Sequence, residues 1–72
     1  MFGKTVQNNR NKQGLTQQEL AVCSMTTRAN IAKIESGTYI PSMYLALRII
    51  EALNMPESKI MRRLIYGKSH GH

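Results

Sequence analysis

The chain has 72 residues, enough for one domain and too few for two. Ten Lys and Arg stand against four Glu and no Asp, a net charge of +6 that favours a polyanionic partner and excludes any Asp-based catalytic triad or metal carboxylate pair. A lone cysteine, Cys23, excludes a disulfide framework and fits a reducing compartment.

The longest apolar clusters, Leu45-Ala46-Leu47 and Ile49-Ile50, are interrupted by Arg48 and Glu51. A membrane span needs about 20 apolar residues in a row. No charged start followed by a long apolar run marks a signal peptide. The expected location is the cytoplasm, with no membrane partner.

The apolar pattern is helical nearly throughout. Phe2, Val6 and Arg10 recur at four-residue spacing, which predicts a first helix from about residue 3 to 13, ended by Gly14. Thr16 stands three residues before Glu19, the capping-box spacing, and opens a second helix with Leu20, Ala21 and Cys23 inward. Ser24-Met25-Thr26 forms a short break. Thr27 caps a third helix, Arg28 to about Glu35, with Ile31 and Ile34 buried and Ser36-Gly37 as its stop. Thr38-Tyr39-Ile40-Pro41 reads as a loop, since Pro41 holds Ile40 extended.

Ser42 caps a fourth helix to about Leu53, with Met43, Ala46, Leu47, Ile50 and Leu53 expected inward. Asn54 is a candidate left-handed cap, and Pro56 suits the first position of a fifth helix reaching about Tyr66. Ile60 and Leu64 should face the core, which leaves Met61, Ile65 and Tyr66 either to cover its lower side or to form a self-association patch. The expected organisation is one domain over residues 1–66 and a frayed tail over 67–72.

Two helices joined by about three residues, the second short and amphipathic, are the pattern of a helix-turn-helix. Ala21 is small where the two helices cross, and Ile31 and Ile34 pin the second to the first. Arg28, Ala29, Asn30, Ala32 and Lys33 are left on or near the outer side, several of them able to enter a major groove.

At these residues the sequence resembles the lambda-repressor/Cro (XRE) helix-turn-helix family. The resemblance rests on Gly14-Leu15-Thr16-Gln17-Gln18-Glu19-Leu20-Ala21, then Thr26 through Gly37 in register without gaps, then Pro41-Ser42, and extends to about residue 65. It implies an all-α, five-helix, lambda-repressor-like DNA-binding domain whose partner is double-stranded DNA. By that resemblance Gln17 anchors a phosphate, and Arg28, Ala29 and Lys33 belong to the base-reading face. Arg28 suits guanine O6 and N7, Ala29 a thymine methyl, and Asn30 an adenine edge or a phosphate. Thr27 opens that helix, while Ser36, Thr38, Tyr39 and Ser42 fall where the family's loop meets phosphates.

The resemblance also sets Arg10 and Glu35 face to face as a buried ion pair. Independently, Arg10 lies on the buried stripe of the first helix and needs a charged partner. Two positions depart from the family pattern. Met25 stands at the turn where Gly is usual, so either the turn has another shape, or Met25 folds over the gap left by small Ser24, or it contacts a protein partner. Asn9 stands where many relatives have Leu.

Lys59, Arg62, Arg63 and Lys68 form a basic run, read as a solvated helix face or a second phosphate-binding patch. No enzyme is expected: His70 and His72 lie in the tail, Cys23 belongs to the core, no glycine-rich phosphate loop occurs, and no cofactor, metal or small-molecule substrate is implied.

Small stand-alone members of the family occur at phage lysis–lysogeny switches, as Cro-like proteins or modulators of a neighbouring repressor. In size and style the chain is similar to modulators of repression from lactococcal temperate phages, which would put it in the bacterial host's cytoplasm. A Cro-like regulator would act as a homodimer on a near-palindromic operator. An antirepressor would instead grip a partner repressor through Met25, Arg28, Ala29, Ala32 and Ile40. An antitoxin or restriction controller on the same fold would resemble the Cro-like case.

Overall fold

A computed structural model of the chain describes the backbone of residues 1–69 and the side chains of all but Glu57 and residues 66–69. Five helices follow in order: α1 Phe2–Lys12, α2 Gln17–Cys23, α3 Arg28–Ser36, α4 Met43–Leu53 and α5 Glu57–Ser69. The first four run as the caps and breakers predict. The Thr16 Oγ1 accepts from the Glu19 N–H at 3.0 Å while Glu19 Oε1 accepts from the Thr16 N–H at 2.9 Å, completing the capping box. Thr27 and Ser42 cap α3 and α4, their hydroxyls accepting from Asn30 N–H and Leu45 N–H at 3.1 Å each. A cap of this kind is worth about 1 kcal/mol. Gly37, at φ +82°, closes α3 in the left-handed region that a residue without Cβ enters freely.

The helices share one core. Val6, Leu20, Ala21, Cys23, Ile31, Ile34, Leu45, Ile49, Ala52 and Ile60 are buried, with Phe2, Leu15, Leu53, Met55 and Leu64 packed against them. Burying one Val, Leu or Ile side chain contributes about 1.5–3 kcal/mol. α2 packs on α3, α4 and α5, while α1 packs on α3 and α4. At the α1–α3 contact the approach is so close that a Cβ on Gly3 would strike the Ile34 carbonyl.

The register of α4 differs from the expectation. Leu45, Ile49 and Ala52 are its buried residues, whereas Met43, Leu47 and Ile50 are exposed, Ala46 is half-buried, and Leu53 packs against the core edge. α4 is apolar on two faces, so two stripes at helical spacing compete. Docking against α1 and α2 selects the 45–49–52 stripe.

Asn54 is not left-handed, since its φ is −99°. Pro56 lies one residue before α5, its carbonyl accepting from Lys59 and Ile60 N–H. α5 continues past Tyr66 to Ser69, so residues 67–69 of the expected tail are helical, and residues 70–72, with His70 and His72, lie outside the described residues. Ile60 is buried and Leu64 half-buried as expected, while Met61 and Ile65 are exposed; the Tyr66 side chain lies outside the described residues.

Candidate nucleic-acid interface

The turn between α2 and α3 is a Schellman-type closure. Thr26 N–H reaches back to the Ala21 carbonyl at 2.9 Å and Met25 N–H to that of Val22 at 3.2 Å. This closure requires a left-handed residue at position 25, and Met25 supplies it at φ +58°. An L-residue there costs about 1–2 kcal/mol. The side chain does not fold over Ser24: it is 68% exposed, and Ser24 is itself fully buried with its hydroxyl donating to the Leu20 carbonyl.

Two arginines hold this turn from behind. Arg48 Nε of α4 donates to the Ser24 carbonyl at 2.9 Å, and Arg63 Nη1 of α5 donates to the Cys23 carbonyl at 3.1 Å. Both serve the carbonyl end of α2, where its dipole is negative. Arg63 therefore leaves the basic run read from the sequence as a solvated face or a phosphate-binding patch, while Lys59 and Arg62 remain exposed and the Lys68 side chain lies outside the described residues. Sequence reading missed Arg48 in this role. Its signal was a single charge embedded among Leu45, Leu47, Ile49 and Ile50, which needs a partner.

With Ile31 and Ile34 buried, α3 turns the other side outward. Arg28, Ala29 and Lys33 are exposed, and the two cationic side chains make no hydrogen bond or ion pair among the described residues. Ala32 is half-buried beside them. Asn30 is half-buried too, and its Nδ2 donates to Thr26 Oγ1 at 3.0 Å, which leaves its second N–H and its amide oxygen for an outside partner. The Thr27 hydroxyl is engaged as the α3 cap.

Past α3, Ser36 and Thr38 hydroxyls donate to the Lys33 carbonyl at 3.1 and 3.2 Å and lie 3.0 Å from each other. They tie the loop to the end of the helix. Tyr39 and Ile40 are exposed, Ile40 at 89%, and Ser42 accepts from α4 as its cap.

The floor of the site is the Arg10–Glu35 pair. Arg10 Nε and Nη2 meet Glu35 Oε2 and Oε1 at 2.7 and 3.1 Å, and Arg10 Nη1 donates to the Leu15 carbonyl at 2.7 Å. The side chains are 11% and 3% exposed. The hydrogen bond to Glu35 holds the Arg10 guanidinium above its ordinary pKa, against the desolvation of partial burial. Gln17 Nε2 also donates to Glu35 Oε1, at 3.1 Å. One carboxylate thus ties the start of α2, the end of α3 and the buried face of α1 together. Burial pushes the Cys23 thiol up, which keeps it protonated as a core residue.

A helix-turn-helix family model matches residues 6–60. The chain belongs to this family, the XRE-type helix-turn-helix proteins. An uncharacterized HTH-type transcriptional regulator of Methanothermobacter thermautotrophicus is 46% identical over 48 residues, covering 67% of this chain and 70% of that protein. The uncharacterized HTH-type transcriptional regulator YgzD of Bacillus subtilis is 43% identical over 42 residues, covering 58% of this chain and 64% of that protein. No solved structure gives a significant match. Among the described residues no helix is long and apolar enough to cross a membrane.

Proposed function

We propose that this helix-turn-helix protein is a transcriptional regulator of a phage lysis–lysogeny switch that reads operator DNA with α3. The observation that carries the DNA reading is the pairing of two exposed, unengaged cations, Arg28 and Lys33, with exposed Ala29 on the side of α3 opposite buried Ile31 and Ile34. Arg28 makes the bidentate contact to a guanine, Lys33 reaches a guanine or the backbone, and Ala29 meets a thymine methyl. Gln17 and Asn30, each through the second hydrogen of its side-chain amide, and the hydroxyls of Tyr39 and Ser42 donate to phosphate oxygens, as do Ser36 and Thr38 once their hydroxyls turn away from the Lys33 carbonyl. No catalytic step is part of this reading. The phage setting rests on the resemblance to the small regulators of such switches.

The test is a gel-shift titration against the promoter region next to the gene, near physiological salt. Sequence-specific binding by the protein alone, weakened by about 1–3 kcal/mol in Arg28→Ala, supports direct operator reading. Specific binding that Arg28→Ala leaves untouched removes Arg28 from the reading surface.

A second reading, an antirepressor that grips a neighbouring repressor, draws support from Met25 and Ile40. These large apolar side chains, 68% and 89% exposed, lie in the turn before α3 and the loop after it. With Arg28, Ala29 and Ala32 they would form a mixed surface suited to a protein. Absence of binding alone, with loss or reshaping of the neighbouring regulator's own shift, selects this reading over the first.

A further inference from the structure

We infer that Arg48 is a positioning residue for the recognition helix: it pins the peptide unit whose rotation would release the strain at Met25. The inference deepens the operator reading of α3 and rests on that reading for its DNA readout.

The carbonyls at the end of α2 are each matched to a donor. Those of Leu20, Ala21 and Val22 accept the N–H groups of Ser24, Thr26 and Met25 at 2.9, 2.9 and 3.2 Å. These bonds are the closure of the turn. The next two carbonyls take guanidinium donors instead, Cys23 from Arg63 at 3.1 Å and Ser24 from Arg48 at 2.9 Å.

The two arginines are not equivalent. Arg63 holds the peptide unit between Cys23 and Ser24, and Ser24 has an ordinary φ of −98°. Arg48 holds the unit between Ser24 and Met25. Rotating that unit changes ψ of Ser24 and φ of Met25 together. Turned over, it would carry Met25 from φ +58° into the negative region that L-residues prefer. It would also withdraw the Met25 N–H from the Val22 carbonyl and open the closure that sets α3 on α2. The Arg48 bond opposes this rotation. It is charge-assisted, and Ser24 is fully buried, so no water replaces the lost donor. A glycine at position 25 would carry no such strain and need no such pin. Arg48 is thus the partner that allows a methionine to stand at this turn.

The consequence for DNA is geometric. Arg28 is the first residue of α3 and follows the turn closely. A contact to a base edge holds only if its side chain is kept within about 0.5 Å of the productive position. Contacts to phosphates fix register but carry no sequence information. Loss of Arg48 should therefore cost sequence discrimination and remove no phosphate contact, since its Nε is directed at the Ser24 carbonyl.

The test compares four full chains: the parent, Arg48→Met, Met25→Gly and the double variant. Amide hydrogen exchange without DNA is read at residue 25 against Val6 in the middle of α1. Arg48→Met should speed exchange at residue 25 at least about tenfold relative to Val6, and the double variant should return to within about threefold of Met25→Gly. In gel shifts Arg48→Met should lower the ratio of specific to non-specific affinity at least about tenfold with the salt slope unchanged, and the double variant should regain the ratio.

Exchange at residue 25 that rises no more than at Val6, or that glycine does not restore, overturns the inference. So does full sequence discrimination in Arg48→Met, or a salt slope shallower by about one, which would make Arg48 a phosphate contact. A parent that binds no DNA specifically refutes the operator reading, and the exchange result then decides by itself whether Arg48 holds the turn. If Arg48→Met does not fold, the double variant decides: recovery of the fold by the glycine supports the inference, and failure to recover overturns it.

Discussion

Removing Arg10 alone should nearly unfold the protein, whereas removing Arg10 and Glu35 together should not. In Arg10→Met the Glu35 carboxylate, only 3% exposed, keeps a single side-chain donor, the Gln17 amide at 3.1 Å. A carboxylate left in that state costs about 3–5 kcal/mol. A chain of 72 residues holds roughly 4–11 kcal/mol in all. The single variant thus loses between about a quarter and all of its stability.

With a urea dependence near 1 kcal/mol/M for a domain this small, the midpoint falls by about 3–5 M. In Arg10→Met/Glu35→Leu no charge is left buried. The Leu15 carbonyl and the Gln17 amide each lose a partner, at a total cost of about 1–2 kcal/mol. Urea unfolding followed by circular dichroism on the parent, both single variants and the double variant measures the coupling, expected at about 2 kcal/mol or more. Additive losses, or a single variant within about 1 kcal/mol of the parent, would refute the view that this pair is an obligate buried charge pair.

Three further outcomes are expected. Gly3→Ala should destabilise by about 2 kcal/mol or more, because the new Cβ meets the Ile34 carbonyl, which is backbone and cannot rotate away; an unchanged melting temperature would contradict the close α1–α3 approach. Met25→Gly should stabilise by about 0.5–1 kcal/mol in thermal unfolding, since the left-handed strain at φ +58° is relieved and the exposed side chain leaves no cavity; destabilisation would mean that the side chain makes a contact of value. Cys23 should react with a thiol reagent at mildly alkaline pH far more slowly in the native state than in denaturant, because burial raises its pKa and shields the sulfur; equal rates would show an accessible thiolate.

Much of this molecule follows from local chemistry. Thr16, Thr27 and Ser42 announce the three inner helix starts, because a hydroxyl able to cap an N–H acts within its own turn and needs no distant partner. Gly37 likewise announces the end of α3. Ile31 and Ile34 determine the inward side of α3, and so its outward residues Arg28, Ala29 and Lys33, because that short helix has only one apolar stripe. The ion pair was legible from Arg10 standing on a buried stripe, with the family resemblance naming Glu35.

What the tertiary structure decided concerns choices that local chemistry leaves degenerate. α4 offers two apolar stripes of equal spacing, and only the shape of α1 and α2 against it selects 45–49–52 and turns Met43, Leu47 and Ile50 outward. Arg48 and Arg63 find carbonyls 24 and 40 residues away, at the end of α2, and no local pattern specifies such a partner. Gly3 is small because α3 passes against it, a contact that exists only once residues more than 30 positions apart are brought together. Sequence by itself determines where the three inner helices start and which residues of α3 prefer burial; packing alone decides which of two equivalent faces is buried and which distant carbonyl a buried cation meets.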